Sequence, residues 1–454
     1  MSAHSARLGT APIGRLFASL SMPIILGLLV GGLYNVVDAL FIARGVNSLA
    51  IGGVSIVFPI QMAIFAVAGL IGSGTASIVT RRLGAKDEKG AQEVTGNALF
   101  LALVCGLLLT LLIQVFMAPL LHLLGVTSQL WGYSVAYLVP IVWGTTIVML
   151  LSCLNDLARA EGKMHYLMFS ILLSSILNII LDPVAIYVLH WGVVGVALAT
   201  VLSQAITVLM MLWLFLSGRT HLKIKLTTFK LDHSISKNIF LLGLPIFFSN
   251  VGVSVVIGMV NATLSRSGLA ETDYIISAYG IVARIFMFLF FPLVGMVISY
   301  QTICSYNYGA RQFDRVRAIS SLAVIVVTLY TTLCTLLMVF LPEHILHLFT
   351  SDPQLLKQGV FIARYVFLGF FVMGAASIWT AYFQAIGKAK PALFLSSFRV
   401  YLLHLPLLLV TPALLGVNAI WFTYPIASLG TFLVSWMFIR IGYRELRELE
   451  SEAV

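Results

Sequence analysis

The sequence predicts an all-α integral membrane protein: twelve transmembrane helices in two parallel six-helix lobes, related by a pseudo-two-fold axis along the membrane normal. Three observations predict it. Of 454 residues, 60% are hydrophobic and only 10% charged, whereas a soluble domain carries about 25% charged residues. The basic residues gather in alternate loops. The chain also repeats itself at a spacing of about 222 to 225 residues.

A membrane-crossing helix needs roughly 20 predominantly apolar residues. Charged and turn-forming breaks delimit helix 1 at 15–43, helix 2 at 50–80, helix 3 at 92–122, helix 4 at 127–156, helix 5 at 164–189 and helix 6 at 193–217. Helix 7 follows at 238–264, then helix 8 at 274–307, helix 9 at 316–342, helix 10 at 355–386, helix 11 at 391–412 and helix 12 at 416–441. The apolar stretch after Arg15 outruns a signal-peptide core and lacks a small-residue cleavage site, so it is expected to remain as the first span. Cys105, Cys153, Cys304 and Cys334 lie in apolar segments without metal spacing and read as packing residues.

With twelve spans, both termini and every even-to-odd connection share one side, and that side collects 21 of the 27 basic residues. The other side holds Arg44, Arg266 and Lys357, while Arg284, Arg364 and Arg399 fall within helices. By the positive-inside rule both termini are cytoplasmic and the protein is multi-pass in the inner (plasma) membrane. The net charge of +10 is therefore a topology signal, and no nucleic-acid partner is expected.

The repeat opens with Ser21-Met22-Pro23-Ile24 against Gly243-Leu244-Pro245-Ile246. Arg82-Leu83-Gly84-Ala85-Lys86 then answers Asn307-Tyr308-Gly309-Ala310-Arg311, and Ala160-Glu161-Gly162-Lys163 answers Ala385-Ile386-Gly387-Lys388. Six helices per copy give both halves one orientation, the arrangement of parallel-repeat transporters. The expected organisation is an N-lobe at 1–217, a basic cytoplasmic linker at 218–237 and a C-lobe with a short tail at 238–454.

Asp38 and Asp182 stand out among the acidic residues because they lie inside predicted spans. A carboxylate at a helix centre costs about 2.5–3.5 kcal/mol, which makes each a functional candidate. Helical spacing puts Ser174, Asn178 and Asp182 on one face of helix 5 and Tyr34 with Asp38 on one face of helix 1. Low-dielectric surroundings disfavour an ionised carboxylate and a second one disfavours double ionisation, so such a pair can hold and release a proton. Alternatively, each Asp bonds a backbone break or a neighbouring helix. Pro23, followed by Gly27, Gly31 and Gly32, gives helix 1 a reason to bend.

Tyr137 and Asn155 in helix 4 and Thr200 and Gln204 in helix 6 are supporting polar positions that equally suit interhelical packing. Asp156 beside Arg159 reads as a local ion pair. Arg284 and Arg399 place cations, not acids, at membrane depth in the second half, and His404 reads as a satisfied buried polar group. Gly69, Gly72, Ser73, Gly74, Ala76 and Ser77 give helix 2 a small face for close packing. There is no Walker motif, dinucleotide fingerprint or nucleophile elbow, so the reading is a non-enzyme without cofactor.

Pro23 with Asp38, Asn155 before Ala158-Arg159-Ala160-Glu161-Gly162, and Asn178-Ile179-Ile180-Leu181-Asp182-Pro183 resemble the motifs of the multidrug and toxic compound extrusion (MATE) transporters, in their usual order and over nearly the whole chain. The resemblance implies two lobes around a central cleft that rock to export cationic or amphipathic compounds against an ion gradient. Without mid-helix acids in the second half, the chain is more similar to the DinF-like branch. There Asp38, Asn178 and Asp182, surrounded by Tyr137, Asn155 and Thr200, would form the coupling site. Protons are the expected coupling ion. Asp38, Asn178, Asp182 and Thr200 also offer hard oxygen ligands suited to Na⁺, and a lipid-linked oligosaccharide flippase of the same superfamily is the other alternative. The expected partners are small cationic or amphipathic substrates and the bilayer, with a monomeric protein.

Overall fold

The structure, a computed structural model, describes residues 3–46, 48–124, 126, 128–224, 228–265, 272–350 and 352–451. Among the described residues there are helices and turns and no strand. Eleven of the described helices are long and apolar enough to cross a membrane, and Ser128–Trp143 with Thr145–Ala160, bent by 50°, together have the length and composition of a twelfth. That bend in helix 4 has a local cause: Pro140 removes a backbone donor one turn before Gly144.

In the first half, helix 1 is Ile13–Gly45, helix 2 Ser48–Gly84, helix 3 Glu88–Val115, helix 5 Met164–Pro183 and helix 6 Gly192–Leu216. In the second, helix 7 is His233–Ser265, helix 8 Thr272–Gly309, helix 9 Phe313–Phe340 and helix 10 Pro353–Leu368 continued by Phe370–Ala385. Helix 11 is Ala389–Ser397, a π-helical stretch Phe398–His404, and Leu405–Leu415; helix 12 is Thr423–Ser451. Most spans begin earlier than their apolar stretch. Helix 3 starts at Glu88 because the Asp87 side chain accepts the Gly90 N–H at 2.9 Å, capping the helix outside its apolar run. Helix 12 starts later than its apolar run, because Gly416 at φ 86° leads into a 3₁₀ turn, Val417–Phe422.

Packing divides the chain into two compact units: Met1–Ala11 with Met22–Phe247, and Pro12–Ser21 with Phe248–Val454. The boundaries fall beside Pro23 and Pro245, not at the 218–237 linker. A proline interrupts the backbone ladder, so the two ends of one helix can belong to different packing units. Within the first unit, the leading part of helix 7 crosses helix 2 at van der Waals closeness. A Cβ on Gly74 would overlap the Ile239 carbonyl, and one on Gly243 would overlap that of Leu70. Of the small residues of helix 2, Gly74 serves this crossing, whereas Gly72 lies against Asp156 and Ser152 of helix 4.

The repeat is also visible in local backbone geometry. The turns after helices 4 and 10 each carry a glycine in the left-handed region, Gly162 at φ 77° and Gly387 at φ 83°. Those after helices 2 and 8 carry Lys86 at φ 61° and Arg311 at φ 56°.

Candidate functional site

Helix 5 supplies the core of the site. Asp182 is fully buried and Asn178, one turn earlier, nearly so. The Asn178 amide Nδ2 donates to Asp182 Oδ1 at 3.1 Å and to Thr200 Oγ1 of helix 6 at 3.2 Å. The Thr200 hydroxyl passes its own hydrogen to the Val196 carbonyl at 3.1 Å, which leaves its oxygen facing Asn178 as an acceptor. Pro183 has no N–H, and the chain beyond it widens into a π-turn, Val184–Val188. Such turns recur at functional sites.

Asp38, half-buried on helix 1, faces Asp182 within hydrogen-bond reach. Asp38 Oδ1 and Asp182 Oδ2 are enclosed and have no donor among the described residues. Ionised carboxylates only accept. Two of them in contact form a hydrogen bond only when one carries a proton, and otherwise they call for a cation.

Of the other expected residues, Tyr137 is buried and its hydroxyl meets the Gln61 amide nitrogen at 3.4 Å, bringing helix 2 into the neighbourhood. Asn155 is half-buried with an enclosed Oδ1 that no donor meets. Ser174 and Gln204 make no hydrogen bond to the carboxylate pair among the described residues. The Tyr34 side chain lies outside the described residues. Pro23 sits inside a continuous helix 1. Asp156 binds Arg159 through Nε at 2.9 Å and Nη2 at 2.6 Å, as a local pair. Arg284 is exposed, and His404 is buried with Nε2 at 3.1 Å from Thr423 Oγ1.

A second arrangement escaped sequence reasoning, which singled out only Asp38 and Asp182 among the acids. Glu161 is fully buried in the turn after helix 4, 2.6 Å from Lys163 Nζ. Its Oε1 accepts the Leu222 N–H at 2.7 Å, and Lys163 Nζ donates to the Arg219 carbonyl at 2.5 Å. The pair pins the start of the linker. Its signal was the Gly-Lys turn shared by both repeats.

Eleven spanning helices with a bent twelfth, repeated six to a half, are the architecture of a membrane transporter. The comparisons agree. The MatE family model matches residues 23–184 and 245–410, one stretch in each half. The chain belongs to this family of membrane transporters. It is 27% identical over 408 residues to the multidrug export protein MepA of Staphylococcus haemolyticus, covering 90% of this chain and 89% of that one. A MepA of Staphylococcus aureus is 25% identical over 422 residues, covering 92% and 91%. Among solved structures, an outward-facing multidrug resistance MATE family transporter of the MOP superfamily superposes with a TM-score of 0.91 at 26% identity, covering 98% of this chain and 99% of that one.

Proposed function

We propose that the protein is a secondary multidrug efflux transporter that exports cationic or amphipathic organic compounds in exchange for protons. The coupling site is Asp38 with Asp182, and helix 1 bends about Pro23 as the pair changes protonation. The observation that carries this reading is the approach of Asp38 to Asp182, in which Asp38 Oδ1 and Asp182 Oδ2 are enclosed without a donor among the described residues. The relatives named multidrug export proteins, matched over nine-tenths of the chain, support the substrate class.

Orientation of Asn178 also favours a proton. Its amide nitrogen, not its oxygen, is turned to Asp182 and Thr200, which suits holding a carboxylate better than coordinating a cation. Sodium is the second reading, because Asp38 Oδ1, Asp182 Oδ2 and Asn178 Oδ1 are enclosed acceptors without donors. Dye efflux from proteoliposomes under separately imposed proton and sodium gradients decides between them. Efflux driven by the proton gradient alone and lost in Asp38→Asn is expected. Undiminished efflux in a folded Asp38→Asn protein would sink the mechanism. The cytoplasmic placing of both termini is tested in the same vesicles by protease access to terminal tags.

A further inference from the structure

We propose that the second unit holds an anion-recognition site centred on Arg399, which takes the carboxylate or phosphate group of an amphipathic molecule. The proposal concerns a different unit and a different charge from the coupling pair, and no step of it rests on the coupling reading.

Arg399 lies in the π-helical stretch of helix 11. Its guanidinium is permanently charged and carries five N–H donors, yet it makes no hydrogen bond or ion pair among the described residues. An unpaired charge in a membrane helix is costly and calls for a partner. No acidic residue lies mid-helix in the second unit to supply one.

The backbone assembles donors around it. In a π-helix residues five apart follow one another by a turn, so Arg399 and His404 stack on one side where an α-helix would separate them. His404 packs edge-on against Tyr424, with ring centroids 4.6 Å apart, and the Tyr424 hydroxyl meets that of Tyr279 at 2.7 Å. Arg399 acts electrostatically on both His404 and Tyr424, which places all of them in one cluster. The tyrosine pair uses one hydroxyl hydrogen for its mutual bond and keeps the other to give. A forked guanidinium beside a free hydroxyl donor is the arrangement that grips carboxylate and phosphate oxygens.

The repeat strengthens the case. At a spacing of 223, Asn261 stands for Asp38, Thr423 for Thr200 and Pro406 for Pro183, and His404 falls within a residue of the Asp182 position. The His404–Thr423 contact at 3.1 Å echoes Asn178–Thr200 at 3.2 Å. The second unit thus keeps the polar contact between its last two helices and replaces the acids by an amide and an imidazole, with a cation alongside. Trp421, packed 5.4 Å from Tyr279, gives the cluster an apolar flank, which selects an amphipathic anion over a bare inorganic one.

The test uses the full chain in phosphatidylcholine nanodiscs, titrated with a fluorescent long-chain carboxylate and with a trimethylammonium probe of matched tail. Arg399→Gln is expected to weaken the carboxylate probe by about tenfold or more, the loss of a charge-assisted pair, and to leave the cationic probe unchanged. Asp38→Asn is expected to leave the carboxylate probe unchanged. Equal affinity of the carboxylate for wild type and folded Arg399→Gln overturns the proposal, as does an equal loss of both probes. If Arg399→Gln does not fold, Tyr424→Phe replaces it: severalfold weaker carboxylate binding is expected, and no change overturns the site. Repeating the titration with phosphatidylglycerol in the nanodisc separates the sources, since competition identifies a lipid headgroup and its absence a free amphipath.

Discussion

Deleting the Glu161 side chain should loosen the first unit at its cytoplasmic turn. The carboxylate is fully buried, and two groups depend on it: the Lys163 ammonium at 2.6 Å and the Leu222 N–H at 2.7 Å. Breaking a buried ion pair by removing one partner costs about 3–5 kcal/mol, because the other charge stays buried without its counterion. Glu161→Gln also leaves Lys163 without its counterion but keeps an acceptor for Leu222, so its cost should fall at the lower end of that range, about 3 kcal/mol. Stability should therefore fall in the order wild type, Glu161→Gln, Glu161→Ala. At about 2–4 °C per kcal/mol for a unit of this size, the alanine variant should melt roughly 6–20 °C below wild type. Cys153, Cys304 and Cys334 are buried and in no disulfide, so a maleimide dye that fluoresces on reacting with thiols reports unfolding in detergent without added labels. Tryptic cleavage at Arg219 and Lys223 should accelerate in parallel, as the linker loses its Leu222 anchor and Lys163, which holds the Arg219 carbonyl, loses its counterion. Melting curves that superimpose with unchanged cleavage rates would refute the assignment of Glu161 as the anchor.

Gly74→Val should cost upwards of roughly 1–3 kcal/mol, since its side chain meets the Ile239 backbone rather than a movable side chain; size-exclusion chromatography should show a smaller monodisperse fraction. Thr200→Val removes the second acceptor of Asn178 at a cost of about 1 kcal/mol, and efflux should drop severalfold and return with Thr200→Ser; equal activity in all three would separate Thr200 from the site. Gly387→Ala forces a side chain into a left-handed turn at φ 83°, which costs about 1–2 kcal/mol and should appear as a lower melting temperature than that of wild type.

What the sequence conveyed was whatever local physics encodes. Apolar length marked the spans, and four-residue spacing paired Asn178 with Asp182 across one helical turn. Span ends were less legible, because capping by Asp87 and the glycine turn at Gly416 act outside the apolar run. Ser174 shares the face of Asp182 but stands eight residues away, about 12 Å along the axis at 1.5 Å per residue, so a common face did not bring it to the carboxyl. The meeting of Asp38 with Asp182 depends on how helices 1 and 5 pack, and no spacing within either helix contains that information. Glu161 was hidden for a related reason: the groups it satisfies belong to Lys163 and to a linker residue, Leu222, some sixty positions on.

The two units solve one electrostatic problem in opposite ways. Each has a proline in its penultimate helix, Pro183 and Pro406, and each has a π-turn beside that proline, Val184–Val188 and Phe398–His404. A proline removes a donor and crowds the preceding turn, and a stretch of wider winding accommodates the mismatch. That backbone device recurs with the repeat, but the charge set beside it does not. In the first unit, acids meet each other, and a shared proton taken from solvent would reduce their two negative charges to one. In the second, a guanidinium cannot shed its charge at any ordinary pH, so only an anion from outside the unit can balance it. A protonatable group suits coupling to a gradient because its charge switches. A permanent one suits recognition because its charge does not, and this difference is the physical reason to look for ion coupling at Asp38 and Asp182 and for ligand selectivity at Arg399.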